Sequence, residues 1–236
     1  MDALERLKDN IRQVEGRIAR ACERSGRSPE DVNVIAVTKY VSLHTAKLAL
    51  EAGLRHIGEN RWQDAKEKWE TLGDQGTWHF IGSLQTNKVK DVVGRFQYIH
   101  SLDRLPLANE IQKRAVLRDK QVNCFIQVNV SGETSKHGLP PDSLFHFAEQ
   151  VREMSHIRVC GLMTMAPYEA SPEAIRSVFR TLRELRDRLN DRNVFDYEIK
   201  ELSMGMSADF EIAVEEGATW VRLGTVLLGR ELDQMK

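Results

Sequence analysis

Short apolar stretches alternate with helix-like segments along almost the whole chain, and this alternation limits the fold more than any other feature. The strand-like stretches fall near residues 33–38, 54–58, 77–81, 96–100, 122–130, 157–162, 198–202 and 219–223. The helix-like segments fall near residues 42–53, 60–72, 84–93, 103–118, 142–154, 172–190 and 207–217. Continuous β/α alternation with short connections predicts a parallel sheet, because each helix returns the chain to the start of the next strand.

Strand composition and chain length favour closure of that sheet into a barrel. The cores Val34–Val37 and Phe125–Val128 are mostly continuous apolar runs, as expected for parallel strands covered on both faces. Eight β/α units in 236 residues fit a single (β/α)8 TIM barrel. An open, doubly wound α/β sheet is the alternative. The sequence predicts one barrel domain spanning residues 1–236.

An amphipathic helix is predicted ahead of the first strand. Its apolar residues recur at intervals of three and four: Leu4, Leu7, Ile11, Val14, Ile18 and Cys22. Gly26 and Pro29 then interrupt the helical pattern. Because little chain follows the eighth strand, we expect this opening helix to supply the eighth helix of the barrel.

Composition excludes several classes of partner. Lys and Arg number 34 against 35 Asp and Glu, so the balance offers no electrostatic case for nucleic acid or an anionic membrane. No apolar run approaches the length of a membrane span, and the N-terminus lacks the apolar core of a secretory signal. The cysteines Cys22, Cys124 and Cys160 are scattered, which predicts reduced thiols. We expect a cytoplasmic protein without a metal site.

Lys39 is the first candidate functional residue. It closes the run Val34–Lys39, so an amine stands where a buried strand reaches the face at which barrel active sites lie. Partial removal from water disfavours the ammonium form and frees a nucleophile for a Schiff base, most commonly with pyridoxal 5′-phosphate (PLP). The alternative is an ordinary solvated surface charge.

Two segments near the C-terminus suit an anion. Ser203–Ser207 follows the seventh strand, where Gly205 permits a close turn and Ser207 suits a helix N-cap. The segment Arg222–Thr225 ends the eighth strand with a glycine and a hydroxyl. Barrel phosphate sites often lie in these two loops, and strand one closes beside strand eight, within reach of Lys39. Each segment alone is equally compatible with ordinary capping and turn structure.

Arg222 has two possible roles. It can form a structural ion pair, or it can face the pyridine nitrogen of a bound cofactor. In the second case the guanidinium would keep that nitrogen unprotonated, because two adjacent positive charges repel. An unprotonated ring is a weaker electron sink than a pyridinium.

Four further residues have paired interpretations. Asn60, after strand two, is either a cofactor ligand or the N-cap of the next helix. His79 fits a hydrogen-bonded, barrel-lining histidine better than a catalytic base. Met163 and Met165 fill the core or pack on a cofactor ring.

Two charged segments have simpler explanations. Lys136, in the loop 135–138, is a solvent-exposed charge or a second amine that accepts PLP in transit. The charged run Asp64–Lys68 indicates a solvated helix face.

Several short strings, in this order, resemble the pyridoxal phosphate homeostasis protein family nearly end to end. They are Ala36–Lys39, Gly58–Asn60, Trp78–Gly82, Leu84–Lys88, Gly161–Met165, Ser203–Ser207 and Val221–Thr225. The resemblance implies a barrel of the alanine racemase N-terminal-domain type (PLP fold type III) with PLP on Lys39. It also implies phosphate contacts from Ser207, Gly224 and Thr225, and Arg222 at the pyridine nitrogen. The segment Leu227–Gly229 departs from the family, which often has an aromatic residue there.

This resemblance implies a regulator and carrier of PLP without established turnover, linked to vitamin B6 and amino-acid balance. Apo forms of PLP-dependent enzymes would be its recipients. A PLP-dependent amino-acid racemase is the alternative, and a barrel enzyme acting on another phosphorylated metabolite is a third hypothesis. Racemases use a tyrosine from a partner subunit, supported by a β-domain. No tyrosine here belongs to a recognisable segment of that kind, so we expect a non-catalytic monomer.

Overall fold

A closed barrel of eight parallel strands in sequential order forms the centre of the molecule, as seen in a computed structural model that describes residues 2–134 and 136–229. The strands are β1 Asn33–Val37, β2 His56–Glu59, β3 Thr77–Phe80, β4 Tyr98–Leu102, β5 Val122–Gln127, β6 Ile157–Met163, β7 Glu201–Ser203 and β8 Trp220–Leu223. β1 pairs with both β2 and β8, which closes the sheet. The predicted barrel is therefore confirmed and the open sheet is wrong. The predicted domain ends, 1 and 236, lie outside the described residues.

Helices follow the strands and cover the outside of the barrel. They are α1 Ala3–Ser25, α2 Leu43–Glu51, α3 Trp62–Leu72, α4 Val89–Val92, α5 Leu105–Leu117, α6 Leu144–Val151, α7 Pro172–Asp191, α8 Phe210–Glu215 and α9 Thr225–Leu228. The clearest difference from the sequence prediction concerns Ser207, which does not cap α8. The helix begins at Phe210 because Asp209 takes the N-cap position, and its Oδ1 accepts a hydrogen bond from the Met206 amide (2.5 Å).

The opening helix α1 occupies the place that the sequence predicts for it. Arg17 forms an ion pair with Glu211 of α8 (2.7 Å), and Asn10 donates to the Leu227 carbonyl of α9 (2.8 Å). Its buried face carries most of the predicted apolar residues, including Leu7, Val14, Ile18 and Cys22. α1 therefore covers the barrel beside β8 with its apolar stripe.

The barrel interior holds an apolar cluster next to polar groups. The cluster contains Ile35, Phe125, Met163 and Trp220, with Met165 packed against it. Met163 therefore packs within the core, as the first of the two interpretations predicts, while Met165 is only partly buried. Buried polar side chains on other barrel strands include His79 of β3, His100 of β4 and Ser203 of β7, and Arg222 of β8 is buried as well. Polar chemistry is thus built into the centre of the barrel.

Cysteine placement agrees with the sequence prediction. Cys22 and Cys124 are buried, Cys160 is partly buried, and all three are free thiols. Within the described ranges, no helix combines the length and the apolar character that crossing a membrane requires. The same ranges contain no group of three or more histidine, cysteine or acidic side chains arranged to hold a metal ion.

Candidate functional site

Lys39 lies just beyond β1, at the face where the carboxyl ends of the strands meet. The strand ends at Val37, one residue earlier than predicted. The Thr38 amide still donates to the Gly58 carbonyl (3.0 Å), but the Val41 amide donates back to the Thr38 carbonyl (3.1 Å) and turns the chain out of the sheet. The Lys39 side chain is partly exposed, so the turn presents its amine at the barrel mouth.

A buried ion pair holds the residue that precedes Lys39. Lys68 Nζ donates to Glu59 Oε1 (2.9 Å) and to the Thr38 carbonyl (2.6 Å). The Thr38 hydroxyl donates to the same Glu59 oxygen (2.6 Å). The side chain of Glu59 is fully buried and that of Lys68 is only 7% exposed. Burial raises the pKa of the Glu59 carboxyl, while Lys68 and Thr38 oppose that shift.

The sequence interpretation of Lys68 as part of a solvated helix face is therefore wrong. Lys68 lies on the inner side of α3, where buried oxygens of β2 and of the residue after β1 need a donor. One sequence signal was available, since Glu59 ends a buried strand and a buried carboxylate requires a partner. The partner itself could not be identified, because several lysines follow within the same helix.

Ser207 and Gly224 lie together beside the start of the Lys39 turn. Ser207 Oγ accepts from the amides of Gly224 and Val226, each at 3.3 Å. A Cβ added to Gly224 would lie 3.5 Å from Val37 Cβ. Thr225 is exposed at the start of α9. The structure therefore brings the three predicted phosphate residues to the rim between β8 and β1.

Gly205 fixes the loop that carries Ser207. Its φ of +94° lies in the left-handed region, and a Cβ there would approach Ala213 Cβ to 2.6 Å. Its carbonyl accepts from the Arg222 amide (2.9 Å), which ties the loop to β8. The close turn predicted for Gly205 is confirmed.

Arg222 is buried inside the barrel and has neutral acceptors. Its Nη1 donates to Ser203 Oγ (2.6 Å) and its Nη2 to the Thr164 carbonyl (3.0 Å). The structural ion pair considered from the sequence does not account for these contacts. Burial lowers the pKa of Arg222 to about 10, while the charge of Asp209 acts in the opposite direction. Register pairing sets Arg222 opposite Ile35, on the β1 side of the barrel.

Three histidines, here called the histidine row, continue from Ser203 across the barrel. The row comprises His56, His79 and His100. His100 Nδ1 lies 2.8 Å from Ser203 Oγ, His79 Nδ1 lies 3.0 Å from His100 Nε2, and His56 Nδ1 lies 3.0 Å from His79 Nε2. The hydrogen-bonded, barrel-lining role predicted for His79 is confirmed. His56 and His100 were missed, although each occupies a strand adjacent to that of His79.

Burial lowers the pKa of every histidine in the row, so the folded protein holds them neutral near pH 7. Below about pH 6.5 the unfolded chain takes up protons that the folded protein does not, so stability is full above that pH and falls below it. We expect the free energy of unfolding to fall by about 3 kcal/mol between roughly pH 7.5 and 5.5 from these groups. Urea titrations compare the wild type with His79→Gln and His100→Gln. An identical pH slope in all three proteins would contradict the assignment.

Asn60 does not cap α3, so that alternative is wrong. Arg61 holds the N-cap position without a side-chain hydrogen bond, because the helix begins only at Trp62. Asn60 Oδ1 is buried and has no hydrogen-bond partner. An unsatisfied buried oxygen at the rim points to a missing donor.

A cavity of about 870 Å³ adjoins Asn60. Loops that follow β2, β3 and β4 contribute most of its lining, and the loop after β5 contributes His137. Lys39, Ser207 and Arg222 are not part of this lining. The cavity therefore lies beside the Lys39 rim, with Asn60 at its border.

Lys136 follows β5 on the same face. Its Nζ lies 3.2 Å from Glu133 Oε1, and its side chain is only partly exposed. Lys136 is therefore not a freely solvated charge. Its role as a second amine that accepts PLP in transit stays a prediction. Ser135, in the same predicted loop, lies outside the described residues.

Comparison with known proteins finds one matching family model and several similar curated proteins. The family described as alanine racemase, N-terminal domain, matches residues 3–231. A pyridoxal phosphate homeostasis protein from Aquifex aeolicus (strain VF5) is 46% identical over 230 residues, covering 97% of this chain and 98% of the relative.

Solved structures agree with these sequence matches. PipY of Synechococcus elongatus PCC7942, with PLP bound, is 34% identical with a TM-score of 0.80, covering 90% of this chain and 100% of PipY. An alanine racemase from Clostridium difficile 630 is 16% identical with a TM-score of 0.75, covering 94% of this chain and 56% of the racemase, and shows the fold alone. The chain belongs to the pyridoxal phosphate homeostasis protein family, and its barrel is of the alanine racemase N-terminal-domain type.

Proposed function

We propose that this protein holds PLP as a Schiff base on Lys39 and takes part in intracellular PLP and amino-acid homeostasis. The observation that carries the proposal is the rim between β1 and β8, where the Lys39 turn adjoins the Ser207–Gly224 contact. Bound PLP supplies an aldehyde that condenses reversibly with an amine and releases water. The PLP-bound structure of PipY, a relative of the same family, supports this choice of ligand.

The chain's own residues fit the cofactor. The Ser207 hydroxyl and the Thr225 amide offer donors for phosphate oxygens, in the two loops that barrels commonly use. The Gly224 amide, which donates to Ser207 Oγ at 3.3 Å, would join them by taking a phosphate oxygen as its acceptor. Arg222 offers a guanidinium for the pyridine nitrogen, and Asn60 carries a buried oxygen that still lacks a donor. A guanidinium at that nitrogen favours the unprotonated ring, which suits holding the cofactor better than carbanion chemistry.

Racemisation is the second candidate, because the barrel resembles that of alanine racemases. A racemase needs a firmly placed acid/base group on the far side of the cofactor. Tyr40 and Tyr168, which follow β1 and β6, are 81% and 88% exposed. The Tyr197 hydroxyl is already engaged, since it accepts from the Val159 amide (3.1 Å). The placement of these three tyrosines therefore favours PLP binding over racemisation as the function.

Delivery to apo forms of PLP-dependent enzymes is the output that we propose. Three large apolar side chains are exposed in loops of the carboxyl-end face: Tyr40, Tyr168 and Met206. Such residues around the cofactor mouth offer a contact surface for a recipient enzyme. We further propose a cytoplasmic monomer.

Transfer of the cofactor tests this function. Purified protein is loaded with PLP, freed of excess ligand and mixed with a defined apoenzyme whose activity reports the transfer. A protein that traps free PLP is present in both samples. Under that condition we expect the loaded protein to activate the apoenzyme faster than the same concentration of free PLP does. Protein that cannot be loaded would defeat the proposal, and rapid racemisation of any amino acid in a panel would favour the second candidate.

Ser207→Ala tests the phosphate contacts separately. Loss of one hydrogen bond to a charged group costs about 1.5 to 3 kcal/mol, so we expect PLP to bind at least tenfold more weakly. Pyridoxal, which lacks the phosphate, should bind both proteins equally in a titration of the Schiff-base absorbance. Equal weakening for the two ligands would show that Ser207 acts on the fold and not on the phosphate.

A further inference from the structure

The polar interior of the barrel connects five side chains into one continuous chain of hydrogen bonds. We propose that Arg222, Ser203 and the histidine row act as a single relay in which Arg222 sets the tautomer of every histidine and the row in turn fixes the orientation of the guanidinium. The part of this proposal that concerns the cofactor's pyridine nitrogen rests on the proposed function. The direction of the relay follows from the protein alone.

Arg222 determines the direction because a guanidinium only donates. Its Nη1 donates to Ser203 Oγ at 2.6 Å. The buried Ser203 hydroxyl still has its own hydrogen to donate, and His100 Nδ1 lies 2.8 Å from its oxygen. Ser203 therefore donates to His100, whose Nδ1 must be unprotonated. The opposite direction would leave the hydroxyl hydrogen buried without an acceptor, which is costly.

The same assignment passes along the histidine row. His100 is neutral with its hydrogen on Nε2, so it donates to His79 Nδ1 at 3.0 Å. His79 in turn donates from Nε2 to His56 Nδ1 at 3.0 Å. All three rings therefore carry their hydrogen on Nε2, and the hydrogen bond that each Nδ1 accepts fixes that tautomer.

Aromatic neighbours hold the rings of the row in these orientations. His79 stacks on Tyr98 with centroids 4.5 Å apart and planes within 3°. His100 stacks on Phe125 at 4.2 Å, and the Trp220 ring lies 4.8 Å from that of His56. A 180° flip of the His79 or His100 ring would place carbon atoms at both nitrogen positions and break the two hydrogen bonds of that ring.

The charged and titratable neighbours of the relay come from several strands and one loop. They are Tyr98 of β4, Cys160 of β6, Glu201 of β7, Asp209 before α8 and Arg222 itself. Burial and Arg222 both oppose a positive charge on His100. A neutral histidine row therefore orients the Arg222 guanidinium. It places no second positive charge beside the pyridine ring of PLP, which the guanidinium would face.

Nitrogen NMR of histidine-labelled protein tests the direction without any cofactor. Ring ¹⁵N shifts distinguish protonated from unprotonated nitrogens, so we expect the three residues of the histidine row to show Nε2–H tautomers at neutral pH. Arg222→Met should remove the fixed direction and give mixed tautomers for His100. A buried Nδ1–H tautomer in the wild type, or unchanged tautomers in the variant, would overturn the relay.

PLP release from His79 variants tests the positioning role. His79→Gln keeps one donor and one acceptor in the relay, whereas His79→Phe fills the space without either. We expect His79→Phe to release PLP about tenfold faster, with a changed pH dependence of its visible absorbance, and His79→Gln to restore both most of the way. His146→Gln, at an exposed site on α6, is the control.

The possible failures are distinguishable. Wild-type protein that does not load PLP defeats the proposed function, while the NMR result still decides the relay. Normal loading with identical release and spectra in His79→Phe and the wild type would defeat the positioning role. Misfolding of His79→Phe leaves the decision to the tautomers of the unmutated protein.

Discussion

Lys39→Ala protein is expected to lose covalent PLP completely and to bind the cofactor at least 100-fold more weakly than the wild type. The amine is the group that we assign to the Schiff base, and the phosphate contacts at Ser207 and Gly224 alone would hold the ligand only noncovalently. Spectral titration with PLP measures the loss, and circular dichroism checks that the barrel is intact. Since Lys39 lies in a turn outside β1, we expect little change in stability.

Two matched variants separate nucleophilicity from charge. Lys39→Arg keeps a cation at the rim but cannot form a Schiff base, so it should behave as Lys39→Ala does. Lys47→Ala removes an exposed lysine from the neighbouring helix α2 and should bind PLP normally. Retention of the covalent complex in Lys39→Ala would assign the amine elsewhere, with Lys136 the first residue to examine.

Lys68→Met is expected to destabilise the protein by about 3 to 5 kcal/mol at pH 7, because it leaves the buried Glu59 carboxylate without its cation. Chemical denaturation measures the change. Lys66→Met is the matched control, since Lys66 pairs with Glu70 on the exposed face of the same helix at 3.8 Å and should cost less than about 1 kcal/mol.

The pH dependence of Lys68→Met has a definite sign. Burial already raises the pKa of Glu59 above its usual value of 4.5, and loss of Lys68 removes an opposing influence. A group whose pKa is raised on folding supports the fold below its unfolded pKa and loses that support as the pH rises. The defect should therefore shrink towards pH 4.5, and Glu59→Gln/Lys68→Met should recover part of the stability at pH 7. A defect independent of pH would mean that lost packing, and not the orphaned carboxylate, is responsible.

Barrel topology explains why much of the candidate site could be predicted from sequence. Once eight strands are recognised, the loops after β7 and β8 must adjoin the end of β1, so Gly224 lies beside Val37, two residues before Lys39, although the two segments are far apart in the chain. The role of Gly205 was predictable for a local reason, because its turn requires a positive φ.

The missed features depend on contacts that sequence periodicity does not encode. Lys68 and its exposed neighbour Lys66 belong to the same charged run, and only the packing of α3 on the barrel makes them different. The histidine row forms only if His56, His79 and His100 face inward at levels along the barrel axis that bring their rings into contact. The register between neighbouring strands determines those levels. Ser207 resembled an N-cap, but the helix start was displaced by the competing Asp209.

The most direct test of the central claim is borohydride reduction of PLP-loaded wild-type protein, followed by peptide mass mapping. Reduction converts a Schiff base into a stable amine, so the modified residue retains the cofactor through digestion. The account predicts one phosphopyridoxyl group per chain, carried by the peptide that contains Lys39. An adduct confined to other lysines, or no adduct after verified exposure to PLP, would contradict it.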